Sequence, residues 1–225
     1  MSKPPEPVVF LFDIDNTLLN NDRVTEDMRH HLTRHFGTAV SQRYWEIFEE
    51  LRVELGYADY LGALQRYRVS DMRDARLLRL SSWLVDYPFA NRLFPGSLDA
   101  IQHCKKWGTV AILSDGDAVF QPRKAERSGL FEAVVRNVMI YIHKEEELDH
   151  VERIHPAKHY VMMDDKLRIL TAMKAIWGDR LTTVFVRQGH YAHEPGIEEK
   201  YPPADLTIDR IDQLTEHDFS HLVRE

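Results

Sequence analysis

The chain has 225 residues, of which 44% are hydrophobic and 29% are charged, and its formal net charge is -7. This composition is typical of a globular protein with a substantial core, and it excludes a disordered or fibrous chain. The acidic balance argues against a nucleic-acid partner, because neutralising phosphates requires a clustered excess of Lys and Arg.

Cysteine content and apolar run length point to a reducing, aqueous environment. The single cysteine, Cys104, cannot form an intramolecular disulfide, and its place in a helical pattern predicts a small buried hydrophobe. The apolar run at residues 8–12 is too short for a signal peptide or a membrane span, and no other segment approaches spanning length. We therefore expect a cytoplasmic protein with no membrane partner.

The first predicted element is a short strand, residues 8–12, buried on both faces. Asp13 and Asp15 follow it, one apolar residue apart, and Asn16 and Thr17 come next. Side chains two residues apart on an extended segment point the same way, so both carboxylates can face one pocket beyond the strand. Asp and Asn also form simple turns by bonding to nearby backbone groups, and the stretch alone leaves this alternative open.

A helical region follows, from residue 25 to about residue 86. The spacing of its apolar residues, together with capping Thr and Ser and terminal Gly and Pro residues, divides this region into four helices. No strand pattern interrupts it. The predicted helices cover residues 25–37, 41–56, 57–68 and 70–87.

From residue 95 onward, helices and strands alternate. This alternation predicts an α/β fold, a Rossmann-like parallel sheet with helices on both faces, split by the all-helical insertion of about seventy residues. The predicted strands cover residues 109–113, 138–142, 159–163 and 181–186. The predicted helices cover residues 97–107, 119–127, 145–154 and 167–177.

Polar or charged residues follow four of the predicted strands. In an open parallel sheet, the ligand crevice lies beyond the carboxyl ends of the strands. Groups from different strands can therefore converge on one rim of this sheet. These groups are Asp13 and Asp15, Ser114 and Asp115, Lys144, and Asp164 and Asp165.

This set of side chains is suited to phosphoryl transfer. Clustered carboxylates repel one another unless a divalent cation joins them, and oxygen ligands favour Mg²⁺. Lys144, the Ser114 hydroxyl and backbone N–H groups near Asp115 and Gly116 can stabilise the oxygens of a bound phosphoryl group. One carboxylate can then attack phosphorus to give an aspartyl-phosphate, while another protonates the leaving oxygen and later activates water.

The motifs "DIDNTL", "LSDGD", a lysine after the third strand and "DD" occur in that order, each after a predicted strand. They resemble the motifs of the haloacid dehalogenase-like (HAD) superfamily of hydrolases, most of which are phosphatases. The resemblance covers essentially the whole chain. It implies a catalytic core of residues 1–17 and 93–225, with a helical cap of residues 18–92 inserted after the first motif. It also implies a Mg²⁺ cofactor and, as the substrate, a small phosphorylated metabolite.

The resemblance implies a role for each motif residue. Asp13 would be the nucleophile and Asp15 the general acid/base, while Thr17 would support the loop between them. Ser114 and Lys144 would hold the transferring phosphoryl group. The metal would be bound by Asp13, the backbone carbonyl of Asp15 and Asp165, with Asp164 either a direct ligand or a group that contacts the ligands.

The last motif departs from the commonest family pattern. Asp164 stands where many relatives have glycine, and Ile169 stands where many have a further aspartate. The resemblance therefore leaves two candidates, Asp164 and Asp165, for direct ligation of the metal at this motif.

Four other functions can be considered for the same residues. The 2-haloacid dehalogenases of the superfamily lack an acid at the position of Asp15 and use no metal. A phosphomutase would need the cap to retain a reoriented intermediate. A phospho-accepting signalling receiver has its acidic pair and its acceptor in the opposite order and no large helical insertion. A phosphate-binding module without turnover would not need both Asp13 and Asp15.

Several charged residues have simpler interpretations. Lys144 precedes three glutamates and could begin a solvated helix, but a cation is disfavoured at a helix N-terminus, which favours the catalytic role. Lys124, on the helix after Ser114, competes with Lys144 for the catalytic role, but it is expected at the surface. His190 and His193 are expected at the surface or at the substrate entrance and not as metal ligands. The histidines expected on a solvated helix face are His30, His31 and His35.

Overall fold

The computed structural model describes residues 4–70 and 76–223, which contain a six-stranded sheet in which every neighbouring pair of strands is parallel. The strand order is β3-β2-β1-β4-β5-β6, which confirms the predicted Rossmann-like α/β core. Five of these strands were predicted; β6 was not. The strands are β1 (Glu6–Phe12), β2 (Thr109–Asp115), β3 (Val138–Tyr141), β4 (Ala157–Asp164), β5 (Leu181–Val186) and β6 (Leu206–Ile208).

The central strand β1 is buried on both faces, and its residues alternate between two apolar clusters. Val8, Phe10 and Phe12 belong to one cluster, and Val9 and Leu11 belong to the other. Successive side chains of a strand point to opposite faces of the sheet, so a continuous apolar run is expected where helices cover both faces. Because β1 lies in the middle of the strand order, its end and the acidic loop after it lie at the middle of the sheet's carboxyl edge.

Among the described residues, four α-helices lie in the region after β1 that was predicted to form the cap. The first helix begins earlier than expected, because the Asn20 side chain accepts a hydrogen bond from the Arg23 N–H and caps it there. Part of the predicted helix 70–87 falls on residues 71–75, outside the described residues. The helices are α1 (Asn21–Phe36), α2 (Thr38–Leu55), α3 (Tyr60–Ser70) and α4 (Arg76–Val85).

These four helices pack against the sheet domain without a break in the apolar core. Buried residues of α1 and α2, such as Met28 and Trp45, belong to the same cluster as Phe10 and Phe12 of β1. Phe120 joins the two parts, since its ring centroid lies 4.9 Å from that of Tyr60. The limits 18–92 of the cap remain a prediction.

The remaining helices flank the strands of the sheet. The predicted helix 145–154 is interrupted: a 3₁₀ turn covers Lys144–Glu146, and the α-helix begins only at Leu148. The Asp115 carboxylate accepts the Lys144 N–H, which fixes this turn against β2. The helices are α5 (Ser97–Cys104), α6 (Phe120–Ser128), α7 (Leu130–Ala133), α8 (Leu148–Ile154), α9 (Leu167–Trp177), α10 (Gly189–Ala192) and α11 (Ile197–Lys200).

The structure bears on two expectations, the burial of Cys104 and the lack of a membrane-spanning segment in the described residues. Cys104 is a free, fully buried residue of the apolar core, as its helical position predicted. Among the described residues, no helix combines the length and the apolar character that crossing a membrane requires.

Candidate active site

The loop after β1 is held rigidly at the carboxyl edge of the sheet. The Asp13 N–H donates to the Met163 carbonyl of β4 at 3.0 Å, which continues the pairing of the two strands. Asn16 has a φ of 61°, in the left-handed region that Asn tolerates better than most residues. Its side-chain oxygen accepts the N–H groups of Asn21 and Asp22 at 3.0 and 3.2 Å, and this tightens the turn into α1.

Asp13 is buried and contacts the two side chains predicted to hold the phosphoryl group. The Ser114 hydroxyl donates to Asp13 Oδ1 at 3.0 Å, and Lys144 Nζ donates to the same oxygen at 2.6 Å. Gln121 in turn donates to the Ser114 Oγ at 3.0 Å. The structure thus brings three of the four predicted catalytic residues together, with Oδ1 of Asp13 as their common point.

Lys144 lies among carboxylates and has almost no exposed surface. Its Nζ lies 2.6 Å from Oδ2 of Asp164 as well as from Asp13. Burial by itself would lower the pKa of Lys144, but the carboxylates of Asp13, Asp164 and Asp115 outweigh it and raise this pKa above its ordinary value. Lys144 is therefore a charged ammonium group and not the solvated start of a helix.

Within residues 4–70 and 76–223, one cluster of side chains could hold a metal ion, and it consists of three buried carboxylates. Oxygens of Asp13, Asp164 and Asp165 all lie within 4.8 Å of one another. Asp164 is engaged, because its Oδ1 accepts the Lys166 N–H at 2.8 Å and its other oxygen contacts Lys144. Both oxygens of Asp165 are buried and have no hydrogen-bond partner among the described residues.

This donor set fits Mg²⁺. The cluster offers oxygen atoms alone, which hard divalent cations prefer, and an unpartnered buried carboxylate carries a large desolvation cost that a cation removes. Burial raises the pKa of Asp165 well above its ordinary range; Lys166 opposes this shift, while Asp164 and Asp13 add to it. The unpartnered oxygens favour Asp165 over Asp164 as the direct ligand.

Asp115 and Gly116, both predicted to bind substrate, lie in the wall of the cavity beside these acids. The Asp115 carboxylate accepts the Lys144 N–H at 2.7 Å, and burial is the main cause that raises its pKa to about 6. The Gly116 N–H donates to the Tyr141 carbonyl at 2.9 Å. That N–H is consequently occupied by the sheet and is not available to a phosphoryl oxygen in this conformation.

Thr17 lies within the acidic loop and is fully buried. Its carbonyl accepts a hydrogen bond from Gln188 Nε2 at 3.0 Å, while its hydroxyl has no hydrogen-bond partner among the described residues. Gln188 also accepts the Ile211 N–H, so Thr17 is attached to two loops at the far edge of the sheet. Support of the loop by Thr17 stays a prediction.

A cavity of about 730 Å³ lies between the helical region and the carboxyl edge of the sheet. Aromatic side chains of the helical region line it together with Asp15 and residues at the edge of the sheet. Cationic groups from both sides reach it. Its lining includes Asp15, Asn21, Thr25, Arg29, Trp45, Phe48, Tyr60, Asp115, Gly116, Lys166, Arg168, Tyr191 and His193.

His190 and His193 both line this cavity, and their place at a substrate entrance stays a prediction. His190 also ties its loop to α1, since its N–H donates to Asp22 Oδ2 at 2.8 Å and its ring Nδ1 lies 2.6 Å from Asp22 Oδ1. Within the described residues, neither histidine belongs to a cluster of metal-ligating side chains.

One lysine near the site was placed wrongly from the sequence, and another was not considered. Lys124 was expected at the surface, but it is fully buried and its Nζ lies 2.5 Å from Asp15 Oδ1. The sequence places Lys124 four residues after Phe120, on the same helix face, but this spacing alone does not predict burial of a lysine. Lys166, directly after the acidic pair, lies with its Nζ 4.6 Å from the Tyr191 ring centroid.

Comparison with known proteins places the chain among hydrolases. The haloacid dehalogenase-like hydrolase family matches residues 8–176. A protein of Burkholderia xenovorans described as a haloacid dehalogenase-like hydrolase has 62% sequence identity and a TM-score of 0.91, over 95% of this chain and 100% of that chain. No curated protein sequence matches this one.

Two more distant structures share the fold. The L-2-haloacid dehalogenase of Xanthobacter autotrophicus, with chloropropionic acid covalently bound, has 15% identity and a TM-score of 0.59, over 92% of this chain and 96% of that chain. The HAD-hydrolase YfnB of Bacillus subtilis, bound to magnesium, has 15% identity and a TM-score of 0.60, over 99% of this chain and 100% of that chain. At these identities the similarity concerns the fold alone.

Proposed function

The chain belongs to the haloacid dehalogenase-like hydrolases, and we propose that it is a Mg²⁺-dependent phosphatase of a small phosphorylated metabolite. The observation that carries the proposal is the environment of Asp13. Ser114 and Lys144 both donate to its Oδ1, beside the buried carboxylates of Asp164 and Asp165. A fixed carboxylate next to an ammonium group and a cluster of oxygen ligands is suited to attack on a phosphate ester.

The proposed reaction has two steps. In the first, Oδ2 of Asp13 attacks phosphorus, the bond from phosphorus to the ester oxygen breaks, and Asp15 gives its proton to that oxygen. In the second, Asp15 takes a proton from water, whose oxygen bonds to phosphorus and releases Asp13 and inorganic phosphate. Lys144 stabilises the negative charge around phosphorus, and Ser114 keeps the nucleophile oriented.

Asp13, Asp164, Asp165 and the Asp15 carbonyl would hold the Mg²⁺ ion. When bound, this ion would neutralise the acidic cluster and stabilise the charge of the phosphoryl group. The fit rests on the two unpartnered oxygens of Asp165 and on the oxygen-only donor set.

Asp15 supports phosphate over halide chemistry. A carboxylate two residues after the nucleophile is needed to protonate an ester oxygen, whereas a halide leaves without a proton. The related dehalogenases share only the fold with this chain, so their substrates are no guide to its own. Dehalogenation nevertheless remains the alternative that the experiment must include.

The cavity supports a small molecule as the substrate. Its volume of about 730 Å³ falls in the range of small-molecule sites. Helices α1 and α2 cover it, so the helical region would exclude water during phosphoryl transfer and set specificity through its own side chains. Action on a free metabolite, without nucleic acid or membrane, in the cytoplasm, belongs to the same proposal.

The test is hydrolysis of 4-nitrophenyl phosphate by the purified protein, with Mg²⁺ or with EDTA. We expect hydrolysis in the presence of Mg²⁺ and none in the presence of EDTA. We also expect the Asp13→Asn variant to lose this hydrolysis. Asp149→Asn, an exposed acid outside the site, is the matched control and keeps full activity. Release of chloride from 2-chloropropionate without phosphatase activity would overturn the proposal, as would Mg²⁺-dependent hydrolysis that survives Asp13→Asn. A panel of phosphorylated metabolites then identifies the substrate.

A further inference from the structure

Lys124 is a buried cation that the proposed reaction does not use. Its side chain is fully buried on α6, with Nζ 2.5 Å from Asp15 Oδ1 and 3.0 Å from Asn21 Oδ1. A lysine without exposed surface is costly unless its charge is compensated and its N–H groups are bonded. Among the described residues Asp15 is the one carboxylate that pairs with it, so the two side chains are positioned together.

The contact distinguishes the two oxygens of Asp15. Lys124 engages Oδ1, and no described residue donates to Oδ2. The Asp15 side chain is 25% exposed and lines the cavity, so the free oxygen is accessible from the substrate side. A carboxyl group with one oxygen anchored and the other available has a defined direction for proton transfer.

Side chains of the helical region hold Lys124 in place. Asn21, the second partner of Lys124, donates from Nδ2 to the Tyr60 hydroxyl at 3.3 Å. That hydroxyl lies 3.0 Å from the Thr25 Oγ1, and Tyr60 is 3% exposed. Lys124 on α6 therefore joins the acidic loop to α1 and α3 through one partly buried hydrogen-bond network.

We propose that Lys124 is a positioning residue for Asp15, an inference that rests on the proposed phosphatase function. Lys124 holds Oδ1 so that Oδ2 points to the ester oxygen in the first step and to the attacking water in the second. The proton on Oδ2 goes to the ester oxygen as its bond to phosphorus breaks. Oδ2 then takes one proton from the water as the new bond to phosphorus forms.

A comparison of leaving groups tests this role. Phenolate leaves slowly without a proton, whereas 2,4-dinitrophenolate needs none. For Lys124→Met we expect kcat/KM toward phenyl phosphate to fall roughly 100-fold, the lower range for loss of general acid catalysis, and kcat/KM toward 2,4-dinitrophenyl phosphate to change less than about threefold. Lys124→Gln, which keeps an N–H donor for Oδ1, recovers part of the loss toward phenyl phosphate.

Two controls separate positioning from a general structural role. Lys174→Met, at a partly exposed lysine of α9 away from the site, leaves both rates unchanged. In an Asp15→Asn background, Lys124→Met produces no further loss toward phenyl phosphate, because its effect passes through Asp15. If Lys124→Met does not fold, Lys124→Gln is tested in its place. We expect it to show a smaller loss of kcat/KM that is again selective for phenyl phosphate.

Equal loss toward both esters, or a further loss in the Asp15→Asn background, would show that Lys124 does not act through the acid and would overturn the inference. Unchanged rates in a folded Lys124→Met would do the same. These outcomes leave the phosphatase proposal standing. A wild-type protein inactive toward both esters with Mg²⁺ would instead overturn the proposed function, and this inference with it.

Discussion

The ammonium nitrogen of Lys144 lies 2.6 Å from Oδ1 of Asp13, although the two residues are 131 positions apart in the sequence. Both side chains are almost completely buried. The pair connects the loop after β1 to the turn after β3, across β2. The same ammonium group also contacts Asp164, so one lysine partly compensates the charge of an entire acidic cluster.

Replacement of Lys144 by Met is expected to destabilise the protein strongly. The substitution keeps the volume but leaves Asp13 and Asp164 without their buried partner, which typically costs about 3–5 kcal/mol. Urea unfolding at pH 7.5 without Mg²⁺ measures the change. The exposed Lys106→Met is the control and should change the free energy of unfolding by less than about 0.5 kcal/mol. Similar effects of the two substitutions would contradict the buried pairing.

Magnesium is expected to stabilise the folded protein through Asp165. At a concentration 100 times its dissociation constant, a ligand of the folded state raises the free energy of unfolding by about 2.7 kcal/mol. Asp165→Asn should be more stable than wild type without Mg²⁺, because it removes a buried carboxylate that has no partner, and it should lose the response to Mg²⁺.

Thermal denaturation with and without Mg²⁺ measures both effects of Asp165. Asp149→Asn, an exposed acid on α8, is the control and should respond to Mg²⁺ as wild type does. An undiminished Mg²⁺ response in Asp165→Asn would mean that this carboxylate is not a ligand.

The proximity of Asp13 and Lys144 could be predicted from the sequence because it follows from the geometry of parallel strands. The carboxyl ends of neighbouring parallel strands lie at one edge, whatever residues stand there. Finding five apolar runs at strand spacing therefore sufficed to bring Ser114, Asp164 and Asp165 to the same place. The number of residues between two strands in the sequence does not affect this geometry.

The burial of Lys124 could not be predicted in the same way. Its helix spacing places it beside Phe120, but a lysine on such a face is normally at the rim and exposed. Its burial depends on Asp15, a residue 109 positions away. Strand β6 escaped for a related reason: Leu206–Ile208 is too short to show a periodic pattern, and it forms only because the edge of β5 is there to pair with it.

His31 is expected to make the stability of the protein depend on pH. It was predicted on a solvated face, but its ring stacks on Trp83 with a centroid distance of 4.4 Å. Burial lowers the pKa of His31 below its ordinary value of about 6.5, and the neighbouring His35 lowers it further. His31 lines a pocket of the helical region, and the charged residues Arg76, Arg79 and Asp86 line the same pocket.

Because the unfolded chain then binds a proton at a higher pH than the folded protein, stability falls as the pH drops below about 6.5. His31→Gln should lose this part of the pH dependence. The free energies of unfolding at pH 5.5 and 7.5 measure it, and Thr33→Gln, an exposed change on the same helix, should keep the wild-type difference between the two values. An equal pH difference in His31→Gln and wild type would exclude the effect.

Gly189 is expected to be essential to the geometry of the acidic loop. It has a φ of +70°, and a Cβ atom there would lie 2.4 Å from the Cβ of Asn16. Asn16 holds the N–H groups of Asn21 and Asp22, so its displacement would disturb the turn that carries Asp15. Gly196 provides the matched control, because it has a φ of +79° with nothing within 4 Å of the added atom.

Gly189→Ala and Gly196→Ala therefore share the backbone cost of a left-handed alanine, about 1–2 kcal/mol, but only Gly189→Ala adds the steric conflict, typically about 1–3 kcal/mol more. Urea unfolding measures this difference without reference to any activity. With 4-nitrophenyl phosphate, Gly189→Ala should also lower kcat, whereas Gly196→Ala should retain it, because the left-handed backbone at residue 196 does not touch the loop. Equal destabilisation of the two variants would show that Asn16 can move aside at little cost, and the loop would then not depend on close approach of the glycine.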